Sequence, residues 1–170
     1  MRGQLGLIAA ILAIGVMVVY GWRLLAGGRA PSPESLAEAA LIAPTAAERE
    51  RAAVQLTQLG RPAHEHLVRL LGESAEPEVR AACIRGLAEQ WHYDSVPVLL
   101  DALEDESSLV RGQAGAAVEH LLRVDYNYRA DAPPEQRREV VRRLRAWWEK
   151  FQRSNMCREF MRQMQAGDEP

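Results

Sequence analysis

The chain has 170 residues, of which 48% are apolar and 26% charged, an ordinary globular usage that excludes a disordered or low-complexity protein. That length holds one domain of usual size plus an appendage, and the two cysteines, Cys83 and Cys157, form no metal-type spacing. The net charge of -2 conceals an asymmetry: residues 137–162 carry nine basic against three acidic residues, a local +6, so the rest sums to -8.

In chain order, the first element is LGLIAAILAIGVMVVYGW, Leu5 to Trp22, an uncharged run of 18 residues between Arg2 and Arg23. As a helix it would extend about 27 Å, close to the hydrocarbon thickness of about 30 Å. Tyr20 and Trp22 suit a headgroup boundary, where Arg23 can snorkel outward. These features predict a single transmembrane helix within residues 1–25, contacting the bilayer through 5–22 and making this a single-pass membrane protein. A cleaved signal peptide is the competing assignment. It fits less well, because the apolar run is long and Arg23 separates it from the small residues Ala26, Gly27 and Gly28. Arg2 with the α-amino group on one flank balances Arg23 and Arg29 on the other, so the side of the membrane on which the remainder lies stays open. Residues 26–32, rich in Gly and Pro, predict a flexible linker.

Ser32 followed by Pro33 marks a helix start, and Pro44 requires that helix to end nearby. Thr45-Ala-Ala-Glu48 is a capping box. It opens a helix with Ala52, Ala53, Leu56 and Leu59 on one face, stopped at Gly60. A second helix, from about Ala63, carries Leu67, Leu70 and Leu71, and the spacing predicts that these two helices form an antiparallel pair. The pattern then recurs every 31 residues: helix starts at Thr45, Glu76 and Ser107, arginines at Arg49, Arg80 and Arg111, and small inner residues at Ala52, Cys83 and Ala114. Self-similarity at this period predicts an all-α solenoid of three to four stacked helix pairs over residues 33–152.

VRAACIRGLAEQ (79–90) and VRGQAGAAVEHL (110–121), each preceded by a leucine-rich helix such as SVPVLLDALED, resemble HEAT repeats of the short bacterial type, the group that includes the phycobilisome-lyase-like repeats. The resemblance covers about residues 33–151. It implies that Val79 and Val110 pack inward while Arg80 and Arg111 bridge to acidic residues of a neighbouring turn, with Asp105 at a typical aspartate position. Arg49 shares the register, although Glu48 replaces the valine there, as a divergent end repeat allows. The three arginines are therefore expected to be scaffold residues.

The third connection, RVDYNYRADAPPEQ (123–136), is too long for a tight turn. Its alternating Tyr126 and Tyr128 predict a segment folded back over the end of the stack. A closing helix from Pro134 to about Phe151 gathers Val140, Val141, Leu144, Trp147, Trp148 and Phe151 into an arc of about 120°, so both tryptophans are expected to seal the last core layer. Residues 153–170, with Met156, Phe160, Met161 and Met164, predict an amphipathic segment and a frayed tail.

No catalytic site, cofactor or metal site is expected. His64 and His66, two residues apart, fall on different faces of a helix, and no phosphate-binding loop, nucleophile elbow or zinc-protease helix occurs. The expected function is a non-catalytic, membrane-anchored scaffold or adaptor for an unidentified protein partner. Glu65, Arg69, Asp101 and Glu104 are the candidate groove contacts, and Tyr126, Tyr128, Arg142 and Arg145 mark the candidate specificity region. An accessory role of the lyase-like kind on a protein-bound chromophore is an alternative. Another is anionic lipid or nucleic acid bound by residues 137–162, although the charges spread around the helix without forming a stripe, which disfavours nucleic acid.

Overall fold

A computed structural model describes residues 30–90 and 93–154. The expected transmembrane helix, most of the linker and the segment from residue 155 onward lie outside the described residues. Among the described residues no helix is long and apolar enough to cross a membrane.

The unit that begins at Pro33 contains seven α-helices among its described residues and no strand. They are α1 (Pro33–Ile42), α2 (Ala46–Thr57), α3 (His64–Glu73), α4 (Pro77–Glu89), α5 (Val96–Ala102), α6 (Ser108–Leu122) and α7 (Pro134–Gln152), with short 3-10 turns at Arg61–Ala63 and Tyr93–Ser95. The residues immediately before α2, α4 and α6 are Thr45, Glu76 and Ser107, the three starts set by the 31-residue repeat. At Thr45 the capping box forms in full: its Oγ1 accepts the Glu48 N–H at 3.3 Å, and Glu48 Oε2 accepts the Thr45 N–H at 3.1 Å.

The helices pack as two rows. α2, α4 and α6 stack on one another, while α1 meets α3 and α5 meets α7 in the second row. The close hairpins are α1 with α2, α3 with α4, and α5 with α6. This corrects the pairing of α2 with α3, which barely touch. The reason is the length of the connections: Ser74–Glu76 turns α3 directly back onto α4, whereas the segment Gln58–Ala63 carries the chain from one layer to the next.

Leu56, Leu67, Leu70, Ile84, Leu87, Leu99, Leu103 and Leu121 exclude solvent completely or nearly so and form one continuous core with the small residues Ala52, Cys83 and Ala114. Those small residues allow neighbouring layers to approach, most closely at Gly86. A Cβ there would lie 2.4 Å from Thr57 Cγ2 on α2, so only glycine fits this crossing of α2 and α4. The Cys83 thiol belongs to the same core, and burial pushes its pKa up to about 12. It is a small apolar filler with no reactive character.

The closing helix differs from expectation in one residue. Trp148 is buried, but Trp147 is 37% exposed, stacked at 5.2 Å on Phe151 and edge-on to Tyr126 at 6.0 Å. At 100° per residue the two neighbouring tryptophans diverge around α7, and only Trp148 points at the core. The cap is therefore narrower than the apolar arc on α7.

Candidate functional site

The repeated arginines form a staircase along the turns. The Arg49 guanidinium donates to the Ala43 carbonyl and to Glu76 Oε1, both at 2.5 Å. Arg80 donates through Nη1 to the carbonyls of Ser74 (3.1 Å) and Ala75 (3.0 Å), and its Nε and Nη2 grip Asp105 at 3.0 and 2.8 Å. Arg111 Nη1 takes the carbonyls of Asp105 and Glu106, both at 2.8 Å. Each side chain thus closes its own hairpin turn, and Arg49 and Arg80 also reach the following layer. Because the fork of a guanidinium can serve a carboxylate and carbonyls together, arginine suits this position and lysine does not.

Beside Arg49, the carboxyl of Glu76 is held below its ordinary value, chiefly by the hydrogen bond that the guanidinium donates. A lowered carboxyl pKa supplies stability that is fully present above the unfolded-state value and is lost as pH falls through the folded-state value. The pair is partly exposed, 18% and 26% at the two side chains, so its contribution is at most about 1 kcal/mol. Glu76→Gln should therefore lower the urea midpoint slightly at pH 7, with the difference closing as the solution is acidified. A difference unchanged down to pH 2.5 would contradict this assignment.

At Arg111 the staircase stops. Its Nε donates at 3.0 Å to the carbonyl of Ala130, so a main-chain oxygen replaces the acidic residue that the resemblance implies. Ala130 belongs to an extended strap, residues 123–133, which lies across α6. Arg123 ends α6 in a left-handed conformation (φ 55°). Asp125 Oδ1 accepts the Asn127 N–H at 2.7 Å, supporting a second left-handed residue at Asn127 (φ 52°). The Tyr128 ring then lies on the backbone at Gly115, where a Cβ would be 3.0 Å from its Cδ1, and its hydroxyl donates to the Leu103 carbonyl at 2.5 Å. The strap covers the face of α6 on which a further helix of that row would stack.

The candidate groove residues do not converge into one site. Glu65 and Arg69 are exposed on α3, where Arg69 lies 3.6 Å from Glu73. Asp101 on α5 and Glu104 in the turn just after it are both engaged by Arg145 of α7, at 2.8 and 3.4 Å. These two acids and Arg145, assigned by sequence to separate regions, meet as a tie between α5 and α7. Arg142 spends its guanidinium on Glu139, at 2.7 Å. Much of the basic stretch is likewise paired: Arg138 with Glu135 at 3.4 Å, and Arg153 with Glu149 at 3.6 Å. His66 lies 3.7 Å from Glu34 of α1. Among the described residues no three His, Cys, Asp or Glu side chains gather where they could hold a metal ion.

A hollow among the described residues brings Tyr126, expected to mark the specificity region, together with residues that the sequence did not single out. Two adjoining clefts of about 540 and 440 Å³ lie between the strap and α7 and share Tyr126, Asn127, Val140 and Arg143. Trp147 closes one end, and Arg129 and Arg137 line the other. The helical period placed Val140 and Trp147 on one face, but the path of the strap, fixed by Tyr128 against Gly115, is a tertiary feature. The alternation of Tyr126 and Tyr128 predicts that the segment folds back over the stack, and Gly112 and Gly115 leave room for it on α6.

Comparison with known proteins places the HEAT-repeat family model on residues 64–121, the span from α3 through most of α6. No curated protein and no solved structure matches the chain.

Proposed function

We propose that the protein is a non-catalytic scaffold, anchored in a membrane by residues 5–22, whose helical repeats bind a segment of another protein. The observation that carries this reading is the staircase of Arg49, Arg80 and Arg111, which consumes the repeated polar residues in holding the layers together. A stack built in this way keeps its outer faces available, and such faces bind extended partners. HEAT repeats in general mediate protein–protein interaction, and the match over residues 64–121 supports the same role here. The intramolecular pairing of Arg138, Arg142, Arg145 and Arg153 weighs against a phosphate-binding surface.

The test is site-specific photo-cross-linking in the full chain within its native membrane, with the photoreactive residue in turn at Glu65, Arg69, Asn127 and Arg143, and at Val18. The expected result is a discrete protein adduct from at least one of the first four positions and lipid adducts from position 18. Lipid adducts alone from the first four would overturn the scaffold reading, and failure to label lipid from position 18 would overturn the anchor.

A further inference from the structure

We infer that the cleft between the strap and α7 is where the partner docks, and that it takes an acidic segment carrying one aromatic or large aliphatic anchor residue. This rests on the scaffold reading and assigns it a site and a ligand chemistry. Charge is the first argument. Residues 123–154 carry nine basic against five acidic residues, a balance of +4, whereas residues 33–122 carry seven against fifteen, a balance of -8. The end of the unit that bears the cleft is thus the one to which an acidic segment is drawn.

The distribution of pairing within the cleft is the second argument. Two of its three acids are committed, Glu139 to Arg142 at 2.7 Å and Glu135 to Arg138 at 3.4 Å, both arginines outside the lining, while the third, Asp125, accepts the Asn127 N–H at 2.7 Å. Of its three cations, Arg129 lies 3.3 Å from Asp131, and the other two are less engaged. Arg143 is 65% exposed and has only a 3.8 Å approach to Glu139. Arg137 donates one Nη1 bond to the Ala132 carbonyl and keeps its remaining N–H donors. Two guanidinium groups with unused donors suit carboxylates, which they bind in fork geometry. The third argument is the apolar end, where Val140, Tyr126 and the exposed face of Trp147 lie beside Arg143. An exposed tryptophan held rigid by stacking on Phe151 is an anchor point of the kind that dominates binding surfaces.

Selection of random dodecamer peptides displayed on phage against the immobilised full chain tests this. Enrichment of Asp and Glu around a single aromatic or aliphatic residue is expected. A synthetic peptide of the enriched sequence should lose about tenfold or more in affinity on Arg143→Glu and on Trp147→Ala, and little on Arg69→Glu. Enrichment of basic or uniformly apolar peptides would overturn the assignment. If acidic peptides were enriched but lost only on Arg69→Glu, the scaffold reading would stand and the cleft would fall. No enrichment of any kind, together with no protein adduct in cross-linking, would sink both. Capture of acidic peptides only after Asp168→Asn with Glu169→Gln would assign the cleft to the chain's own acidic end. Self-association abolished by Arg143→Glu would assign it to a second copy. Either of these outcomes would overturn the partner proposal.

Discussion

Replacing Arg80 by alanine is expected to cost about 3–5 kcal/mol of folding stability, the scale on which breaking one side of a buried, hydrogen-bonded ion pair falls. The Arg80 side chain is only 8% exposed and that of Asp105 only 15%. Four acceptors depend on the guanidinium: both oxygens of Asp105 and the carbonyls of Ser74 and Ala75. Asp105 Oδ1 also accepts the Ser107 N–H at 2.8 Å, directly before α6. Loss of Arg80 therefore leaves an uncompensated carboxylate at the start of one helix and two orphaned carbonyls in the turn before another. Arg80→Lys should retain only part of the effect, because an ammonium cannot bridge the carboxylate and both carbonyls at once. The double change Arg80→Ala with Asp105→Ala should be less destabilising than the sum of the singles. Urea unfolding followed by far-ultraviolet circular dichroism reads this directly. A loss below about 1 kcal/mol for Arg80→Ala would mean that the pair behaves as an exposed one.

Tyr128→Ala is expected to cost about 3 kcal/mol, in the range for removing a packed aromatic ring, whereas Tyr128→Phe should cost about 1 kcal/mol, the net value of one hydrogen bond. The ring is the main contact of the strap with α6, through Gly115, and its hydroxyl ties the strap to the end of α5 at the Leu103 carbonyl. Burial pushes the phenol pKa up, which further favours the protonated hydroxyl that donates here. The alanine variant should also release the strap. Hydrogen exchange is then expected to accelerate over residues 124–132 with little change in α2 and α4. Uniform acceleration through all helices would show instead that the strap and the stack unfold as one unit.

The helical framework was legible in the sequence because its signals are local. The capping box at Thr45, the proline at the start of α1, Gly60 after α2 and the 31-residue recurrence of Arg49, Arg80 and Arg111 each act within a few residues of where they are written. What was not legible depends on long-range geometry. The pairing of α3 with α4 in preference to α2 follows from connection lengths that are clear only once the 3-10 turn at Arg61–Ala63 is placed. Asp101 and Glu104 carry polar signatures suited to a groove, yet Arg145, more than 40 positions later, occupies both. Trp147 shares an apolar arc with Trp148, but the arc is wider than the core it covers. The cleft is legible only in the fold, since it is the space between a strap and a helix whose residues show no motif. The repeat thus reports how the layers are joined, and its irregular end carries the features suited to recognition.

The most direct measurement is the position-resolved yield of the photo-cross-linking experiment, compared between Asn127 and Arg143 at the cleft and Glu65 and Arg69 on α3. Higher yield of one protein adduct at Asn127 and Arg143, reduced when Trp147 is replaced by alanine, is the predicted result. Equal yields at all four positions, or adducts confined to Glu65 and Arg69, would contradict it.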